Sequence, residues 1–256
     1  MESTRVVLLG ASNLTLGLPT VLSVTHAMLG PGPMDILVAA GHGRSYGQWS
    51  RVLARGLPGI LGCGLWPAAR RPGGVRIYAL LTDIGNDLAY GASPADLAGW
   101  VSACVERLGE AGADTVLTLL PARSLARLPP WQYHLFKAVL FPGRRLPFRV
   151  LHARVAEINQ RLTTLAARAK VKVVDPEARW YGPDSIHLRR RERAAAWQAI
   201  LSRWEVAGGP TGIPDAARRR LPCRRMAPEW RTVLGVTLRR PQPSGVLGDG
   251  TTISLY

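Results

Sequence analysis

The stretch Arg5-Val6-Val7-Leu8-Leu9-Gly10-Ala11-Ser12-Asn13 begins as an apolar run and ends in a glycine turn followed by two polar side chains. The run Arg5–Leu9 predicts a buried strand, and Leu14–Leu29 behind it has helical spacing. A second apolar run follows at Met34–Ala40. A strand, a helix and another strand in this order predict a βαβ unit of a parallel sheet.

The same alternation continues along the chain. Further apolar runs predict three more strands, at Val75–Thr82, Asp114–Leu120 and Val171–Val174. Amphipathic segments predict helices over 49–61, 93–109, 150–169 and 188–206, the first of them interrupted by Pro58. We therefore predict an α/β fold, a flavodoxin-like three-layer α/β/α sandwich with a five-stranded parallel sheet.

Two segments break this regular pattern. Residues 121–148 are long, punctuated by proline and aromatic, which makes them a candidate lid or substrate wall. After Gly208 the chain becomes rich in turn residues and arginine clusters, and its last residues, 251–256, alternate like a short strand. We predict one α/β domain over 1–206 and a basic, Pro/Gly-rich extension over 207–256 that is loosely ordered or docked on the domain.

The composition restricts the classes of function. The chain of 256 residues is 47% hydrophobic, typical of a globular protein, and carries a net charge of +16. Nearly all of the positive charge comes from arginine, and alanine, glycine and proline are also abundant. The codon bias of a GC-rich genome produces such a composition. A nucleic-acid partner is therefore disfavoured, although a basic surface is compatible with one.

The cysteines and the N-terminus point to an ordinary reducing compartment. Cys63, Cys104 and Cys223 are odd in number, form no CxxC pair and have no zinc-ligand spacing. No stretch has the features of a signal peptide, and none approaches the length of a membrane-spanning helix. We expect a cytoplasmic protein with no membrane span, no metal and no cofactor.

Polar side chains with complementary chemistry follow the predicted strands. Ser12 follows the first strand, Asn86 follows the third, and Asp184 and His187 precede the last helix. Ligands bind at the carboxyl ends of strands in α/β sheets. A serine needs a base to become a nucleophile, and a carboxylate orients that base. His187 is the candidate base with Asp184 as its partner, and His42 is the rival base.

Simpler interpretations of the same residues exist. Ser12 or Asn13 is also suited to cap the helix that follows them. Asp184 is likewise suited to cap the last helix, in which case His187 is there by chance. Gly10-Ala11-Ser12 resembles a nucleotide-binding turn, but it lacks the second and third glycines of that fingerprint.

Donors for a developing oxyanion are also present. The Asn86 amide can supply one, and the backbone N–H groups of Ser12 and of a glycine after the second strand can supply two more. The glycine-rich segment after that strand contains three candidates, Gly41, Gly43 and Gly47.

In order and spacing, these blocks resemble those of the SGNH (GDSL-like) hydrolase family over roughly residues 5–205. That family has a Gly-Asp-Ser block, a glycine after the second strand, a Gly-x-Asn-Asp block and an Asp-x-x-His block. The resemblance implies that Ser12 is the nucleophile, His187 the base and Asp184 its orienting partner. It also implies that Ser12, Gly43 and Asn86 form the oxyanion hole.

The chain departs from the family pattern at three places. Ala11 replaces an aspartate that supports the serine loop, and Ile84 replaces the glycine two residues before Asn86. The second block lacks the usual asparagine, so Gly43 is preferred to Gly41 on the strength of the following Arg44-Ser45. These differences place the chain in a divergent branch.

The leading interpretation is a serine esterase that cleaves a carboxylic or thio ester of a small molecule or glycoconjugate through an acyl-Ser12 intermediate. An alternative is a catalytically silent relative that binds an anionic partner through its arginine-rich surface. A metal-dependent phosphoesterase using Asp83 and Asp87 ranks last. Substrate and oligomeric state are left open.

Overall fold

Two β-sheets organise the computed structural model, which describes residues 3–30, 32–52, 54–70, 74–129, 147–206 and 226–256. The strands, in chain order, are β1 (Ser3–Leu9), β2 (Met34–Ala39), β3 (Ser50–Val52), β4 (Arg55–Leu57), β5 (Val75–Leu81), β6 (Asp114–Thr118), β7 (Lys172–Val174), β8 (Trp230–Val233), β9 (Val236–Arg239), β10 (Gly245–Val246) and β11 (Thr252–Leu255). The α-helices are α1 (Ser12–Leu29), α2 (Leu65–Ala69), α3 (Asn86–Ala89), α4 (Pro94–Glu110), α5 (Ala122–Leu125), α6 (Phe148–Ala169) and α7 (Arg193–Leu201).

The central sheet has the strand order β10-β11-β2-β1-β5-β6-β7. Five strands, β2-β1-β5-β6-β7, are parallel and correspond to the five predicted from the sequence. The chain end contributes the other two, since β11 pairs parallel to β2 and β10 pairs antiparallel to β11. The predicted α/β sandwich is confirmed, with seven strands in place of five.

Helices cover both faces of this sheet. Along β1, Val7 and Leu9 point into one buried cluster, which α2, α4 and α6 complete. Val6 and Leu8 point into the other, which α1 and α7 complete. Burying each such side chain contributes about 1.5–3 kcal/mol. A strand buried on both faces is typical of a parallel sheet, and β1 lies at its centre.

The helix predicted over 49–61 is wrong. This segment forms β3 and β4 and then a short 3₁₀ turn at Ile60–Gly62. The two strands make a second, antiparallel sheet of order β3-β4-β8-β9 with a hairpin from the chain end. Pairing with residues so distant in sequence outweighs the local periodicity. The predicted last helix is also shorter, covering Arg193–Leu201.

The extension contributes to both sheets. Residues 252–255 form a strand of the central sheet, and Ile253 is fully buried. These residues of the extension are docked on the domain, because β2 offers an open edge that β11 fills. The division at residue 206 itself stays a prediction, and 207–225 with its arginine cluster lies outside the described residues.

Three smaller predictions concern the lid, the cysteines and the membrane. Of the candidate lid, residues 121–129 and 147–148 are described and 130–146 are not. Cys63 and Cys104 are buried free thiols, and Cys223 lies outside the described residues. Within the described ranges, no helix combines the length and apolarity needed to cross a bilayer.

Candidate active site

Ser12 is the first residue of α1, directly after the β1 turn, and is partly exposed. The turn needs Gly10, because a Cβ there would lie 2.8 Å from Thr82 Cγ2. Ser12 caps nothing, since the N-cap of α1 is Ala11 and no side chain within the helix caps it. Its hydroxyl is therefore presented at the carboxyl end of the sheet rather than used by the backbone.

A loop closed by the Tyr181–Leu188 bridge carries Asp184 and His187. Asp184 Oδ1 accepts the N–H groups of Ile186 at 3.1 Å and His187 at 3.0 Å. Its other oxygen lies 2.5 Å from His187 Nδ1, and His187 Nε2 lies 3.1 Å from Ser12 Oγ. The last helix begins later, at Arg193, so Asp184 is not its cap. The structure thus brings the three predicted side chains into one hydrogen-bonded chain.

The electrostatics of this chain suit a base that gains a proton. The hydrogen bond to Asp184 raises the pKa of His187, against the opposing effect of burial, and the charges of Asp184 and Asp83 raise it further. Burial raises the pKa of Asp184, but hydrogen bonds from the His187 ring and backbone outweigh it, so the net shift is downward. An ionised carboxylate beside the ring stabilises the imidazolium.

The rival base, His42, lies in the glycine segment after β2, with part of its surface open to solvent. Partial burial lowers its pKa, and the charges of His187 and Arg55 lower it further. His42 is therefore near the candidate base, but the imidazole hydrogen-bonded to Ser12 Oγ is that of His187.

Asn13 and Asp83 hold the serine turn in place, and sequence reasoning missed both roles. Asp83 Oδ2 accepts the backbone N–H groups of Ala11 and Leu14, each at 3.0 Å. Asp83 itself has a left-handed backbone, with φ of 57°. Its carboxylate sits at the N-terminus of α1, where the helix dipole favours negative charge. Asp83 thus supports the serine loop at a place where the side chain of Ala11 offers no acceptor.

The side chain of Asn13 joins the serine turn to the histidine loop. Asn13 Nδ2 donates to the Ile186 carbonyl at 2.8 Å, and Asn13 Oδ1 accepts the N–H of Leu188 at 2.8 Å. Because Asn13 is buried, these bonds are shielded from water. They fix the relative position of Ser12 and His187. The only sequence signal was the adjacency of Asn13 to Ser12.

The predicted oxyanion residues lie at neighbouring strand ends. Gly43 has φ of 64°, and a Cβ there would lie 2.6 Å from Val52 Cγ2 and 2.8 Å from Tyr90 Oη. Tyr90 donates a hydrogen bond to the Gly43 carbonyl at 2.6 Å, which fixes the loop. Among the described residues, no backbone carbonyl accepts the N–H of Gly43. The Asn86 amide points to the same loop and donates to the Arg44 carbonyl at 3.3 Å.

Buried polar groups anchor the rest of this loop. Asp87 accepts hydrogen bonds from the Ser45 hydroxyl and, at 3.0 Å, from the Tyr46 N–H. Burial raises the pKa of Asp87 although these bonds oppose the shift. Tyr46 Oη donates to the Thr82 carbonyl at 2.8 Å. Arg44, fully buried, donates to the Tyr256 carbonyl and so ties the extension to the loop.

These contacts also bear on the metal-dependent alternative. The oxygens of Asp83 and Asp87 are occupied by hydrogen bonds from protein groups. Within the described residues, no three His, Cys, Asp or Glu side chains are grouped to hold a metal ion. The two aspartates therefore act in this structure as loop anchors.

Comparison with known proteins gives matches in structure alone. Neither a protein-family model nor a curated protein sequence matches the chain. Est24, a carbohydrate acetylesterase from Sinorhizobium meliloti, is 19% identical over 77% of this chain and 96% of its own, with a TM-score of 0.51. The inhibitor-bound aryl esterase of M. smegmatis is 17% identical over 77% of this chain and 96% of its own, with a TM-score of 0.50.

A GDSL-like lipase from Bacteroides thetaiotaomicron is 13% identical over 77% of this chain and 85% of its own, with a TM-score of 0.47. At such identities a likeness establishes the fold and leaves activity open. The chain therefore shares the α/β fold of Est24 and of the aryl esterase, at sequence identities of 19% and 17%.

Proposed function

We propose that this protein is a serine esterase that hydrolyses a carboxylic or thio ester of a small molecule or glycoconjugate. The observation that carries the proposal is the hydrogen-bonded chain Asp184–His187–Ser12, with Ser12 Oγ 3.1 Å from His187 Nε2. In this arrangement a base reaches the nucleophile and a carboxylate orients the base, which is the requirement for nucleophilic acyl transfer.

The first half of the reaction follows from these positions. His187 Nε2 takes the proton of Ser12 as Oγ attacks the ester carbonyl carbon. The carbonyl oxygen gains negative charge, and the N–H groups of Ser12 and Gly43 with the Asn86 amide stabilise it. The tetrahedral intermediate collapses to acyl-Ser12, and His187 gives its proton to the departing alcohol or thiol.

In the second half, water replaces the alcohol. His187 Nε2 takes a proton from water as its oxygen attacks the acyl carbon. Collapse of this second intermediate releases the carboxylic acid, and the proton on His187 returns to Ser12 Oγ. Asp184 stays ionised throughout, holding the tautomer and stabilising the imidazolium.

The test is hydrolysis of 4-nitrophenyl acetate and of an acetyl thioester by purified protein. We expect turnover by the wild type and its loss in Ser12→Ala, with Ser202→Ala as a matched control because Ser202 lies on an exposed helix end. Equal turnover in Ser12→Ala and wild type would refute an acyl-Ser12 route. If the folded wild type cleaves no ester and does not react with phosphonates, the silent binding protein becomes the better explanation.

A further inference from the structure

The small sheet presents one continuous row of side chains on the face nearest the glycine loop. Val52 of β3 is paired with Arg55 of β4, Arg55 with Val233 of β8, and Val233 with Val236 of β9. Directly paired residues project to the same face of a sheet, so these four side chains form one line across all four strands. The line crosses three strand spacings of about 4.8 Å, or roughly 14 Å in total.

The inner end of this row touches the candidate oxyanion loop. Val52 Cγ2 lies 2.6 Å from where a Cβ on Gly43 would be, so the two are in contact. The opposite face carries different residues: Trp49 and Trp230 pack with ring centroids 5.5 Å apart. The face of the row is therefore the one continuous with Gly43.

The outer end of the row is apolar and open to solvent. Val236 is 61% exposed, and Leu238, two residues further on the same face, is 39% exposed. An exposed row that begins at a candidate catalytic loop and is apolar except for one arginine is suited to bind a ligand. Arg55 fits within such a strip, because its aliphatic stem can lie along the row while its charged head stays in water.

The position of Arg55 links the row to the catalytic side chains. Its charge acts on His42, which in turn is within electrostatic reach of His187. Leu234, in the turn between β8 and β9, donates its N–H to the Ala54 carbonyl at 2.9 Å. This bond fixes β8 and β9 to the β3–β4 hairpin. Arg55, in the middle of the row, is therefore close enough to His42 for its charge to act there.

We propose that the row Val52–Arg55–Val233–Val236, with Leu238, is a binding platform for the extended apolar acyl chain of the ester substrate. This inference rests on the proposed esterase function. In that mechanism the substrate carbonyl oxygen sits at the Gly43 N–H, and Val52 touches Gly43, so a chain on the carbonyl carbon can continue onto the row. The platform thus selects esters of longer acyl chains over acetyl esters, and the C-terminal extension supplies its outer half.

The experiment compares kcat/KM for 4-nitrophenyl acetate and 4-nitrophenyl decanoate in three proteins. Val236→Asp puts a charge on the platform, and Thr237→Asp puts the same charge on the next exposed residue, which faces the other side. We expect Val236→Asp to lower the decanoate-to-acetate ratio by about tenfold, because burial of apolar surface on the row is lost. We expect Thr237→Asp to leave the ratio within about twofold of wild type.

An unchanged ratio in Val236→Asp, or an equal fall in Thr237→Asp, would overturn the platform. The labelling rates of Ser12 with ethyl and decyl fluorophosphonates separate this failure from failure of the function. If both probes label wild type equally and Val236→Asp changes neither, the serine is active and the platform alone is wrong. If neither probe labels wild type, the proposed function fails and the platform falls with it.

Discussion

Asp83 Oδ1 accepts a hydrogen bond from the side-chain amide of Asn13 at 2.8 Å, joining the ends of two neighbouring strands. The other oxygen of Asp83 accepts the N–H groups of Ala11 and Leu14. Both residues that flank Ser12 are thus held by one carboxylate from the end of β5. The loop of the candidate nucleophile Ser12, after β1, is therefore held by a residue of a different loop, after β5.

Asp83→Ala should impair both stability and Ser12 reactivity. It leaves the N–H groups of Ala11 and Leu14 without an acceptor, which costs about 1–3 kcal/mol per buried group. We expect a lower free energy of unfolding by denaturant, and at least about a tenfold slower reaction of Ser12 with a fluorophosphonate, because a small displacement at a reacting atom is costly. Asp83→Asn keeps one acceptor oxygen and should be milder in both. Wild-type reactivity in folded Asp83→Ala would contradict this role.

Gly43→Ala should abolish most activity. A side chain at Gly43 meets Val52 and Tyr90, and φ of 64° strains any residue other than glycine. The loop must move, and the Gly43 N–H moves with it, so kcat should fall by on the order of 10²–10³. Gly62→Ala is the matched control, since a Cβ there meets nothing within 4 Å. Equal kcat in the two variants would show that Gly43 contributes no donor.

Tyr90→Phe tests the same loop without adding bulk. The substitution removes the hydroxyl that donates to the Gly43 carbonyl at 2.6 Å. We expect kcat for 4-nitrophenyl acetate to fall by about tenfold while KM changes little, because the donor is misplaced chiefly for the transition state. A change in KM alone would instead place Tyr90 in ground-state binding.

The pH profile should report His187. The base must be neutral to accept a proton, and its hydrogen bond to Asp184 raises its pKa. The acid limb of kcat/KM should therefore lie at higher pH than for an ordinary histidine. Asp184→Asn removes the main cause of the raised pKa and leaves burial, which lowers it, so the limb should move to lower pH. Activity should also fall by on the order of 10⁴. A limb that moves upward in Asp184→Asn would contradict the pairing.

Local pattern predicted much of this molecule. The run Val6–Leu9 and most of β2, β5 and β6 are buried on both faces, so their apolar composition alone marks them as interior strands of the sheet. The order of Ser12, Asn86, Asp184 and His187 at the carboxyl ends of strands predicted that they would lie near one another. The hydrogen bond between Ser12 and His187 spans 175 positions and was still predictable, because strand ends of a parallel sheet share one edge.

The features that were missed depend on partners distant in sequence. Ser50–Val52 and Arg55–Leu57 are too short to show a strand period; they pair with each other, and Arg55 and Gly56 pair with Val233 and Thr232 of the distant β8. Thr252–Leu255 alternates like a strand, but nothing local indicates that the edge of β2 is free for it. Asp83 belongs to no recognisable motif. Its role becomes visible only in the folded chain, where its carboxylate accepts the N–H of Ala11.

The most direct test of the central claim is the reaction of the protein with a fluorophosphonate probe, followed by mass mapping of the labelled peptide. We predict labelling at Ser12 in wild type, none in Ser12→Ala, and a rate reduced by at least about a hundredfold in His187→Ala, because the serine loses its base. Absence of label on a folded wild type, or label that persists in Ser12→Ala, would contradict the assignment of Ser12 as an activated nucleophile.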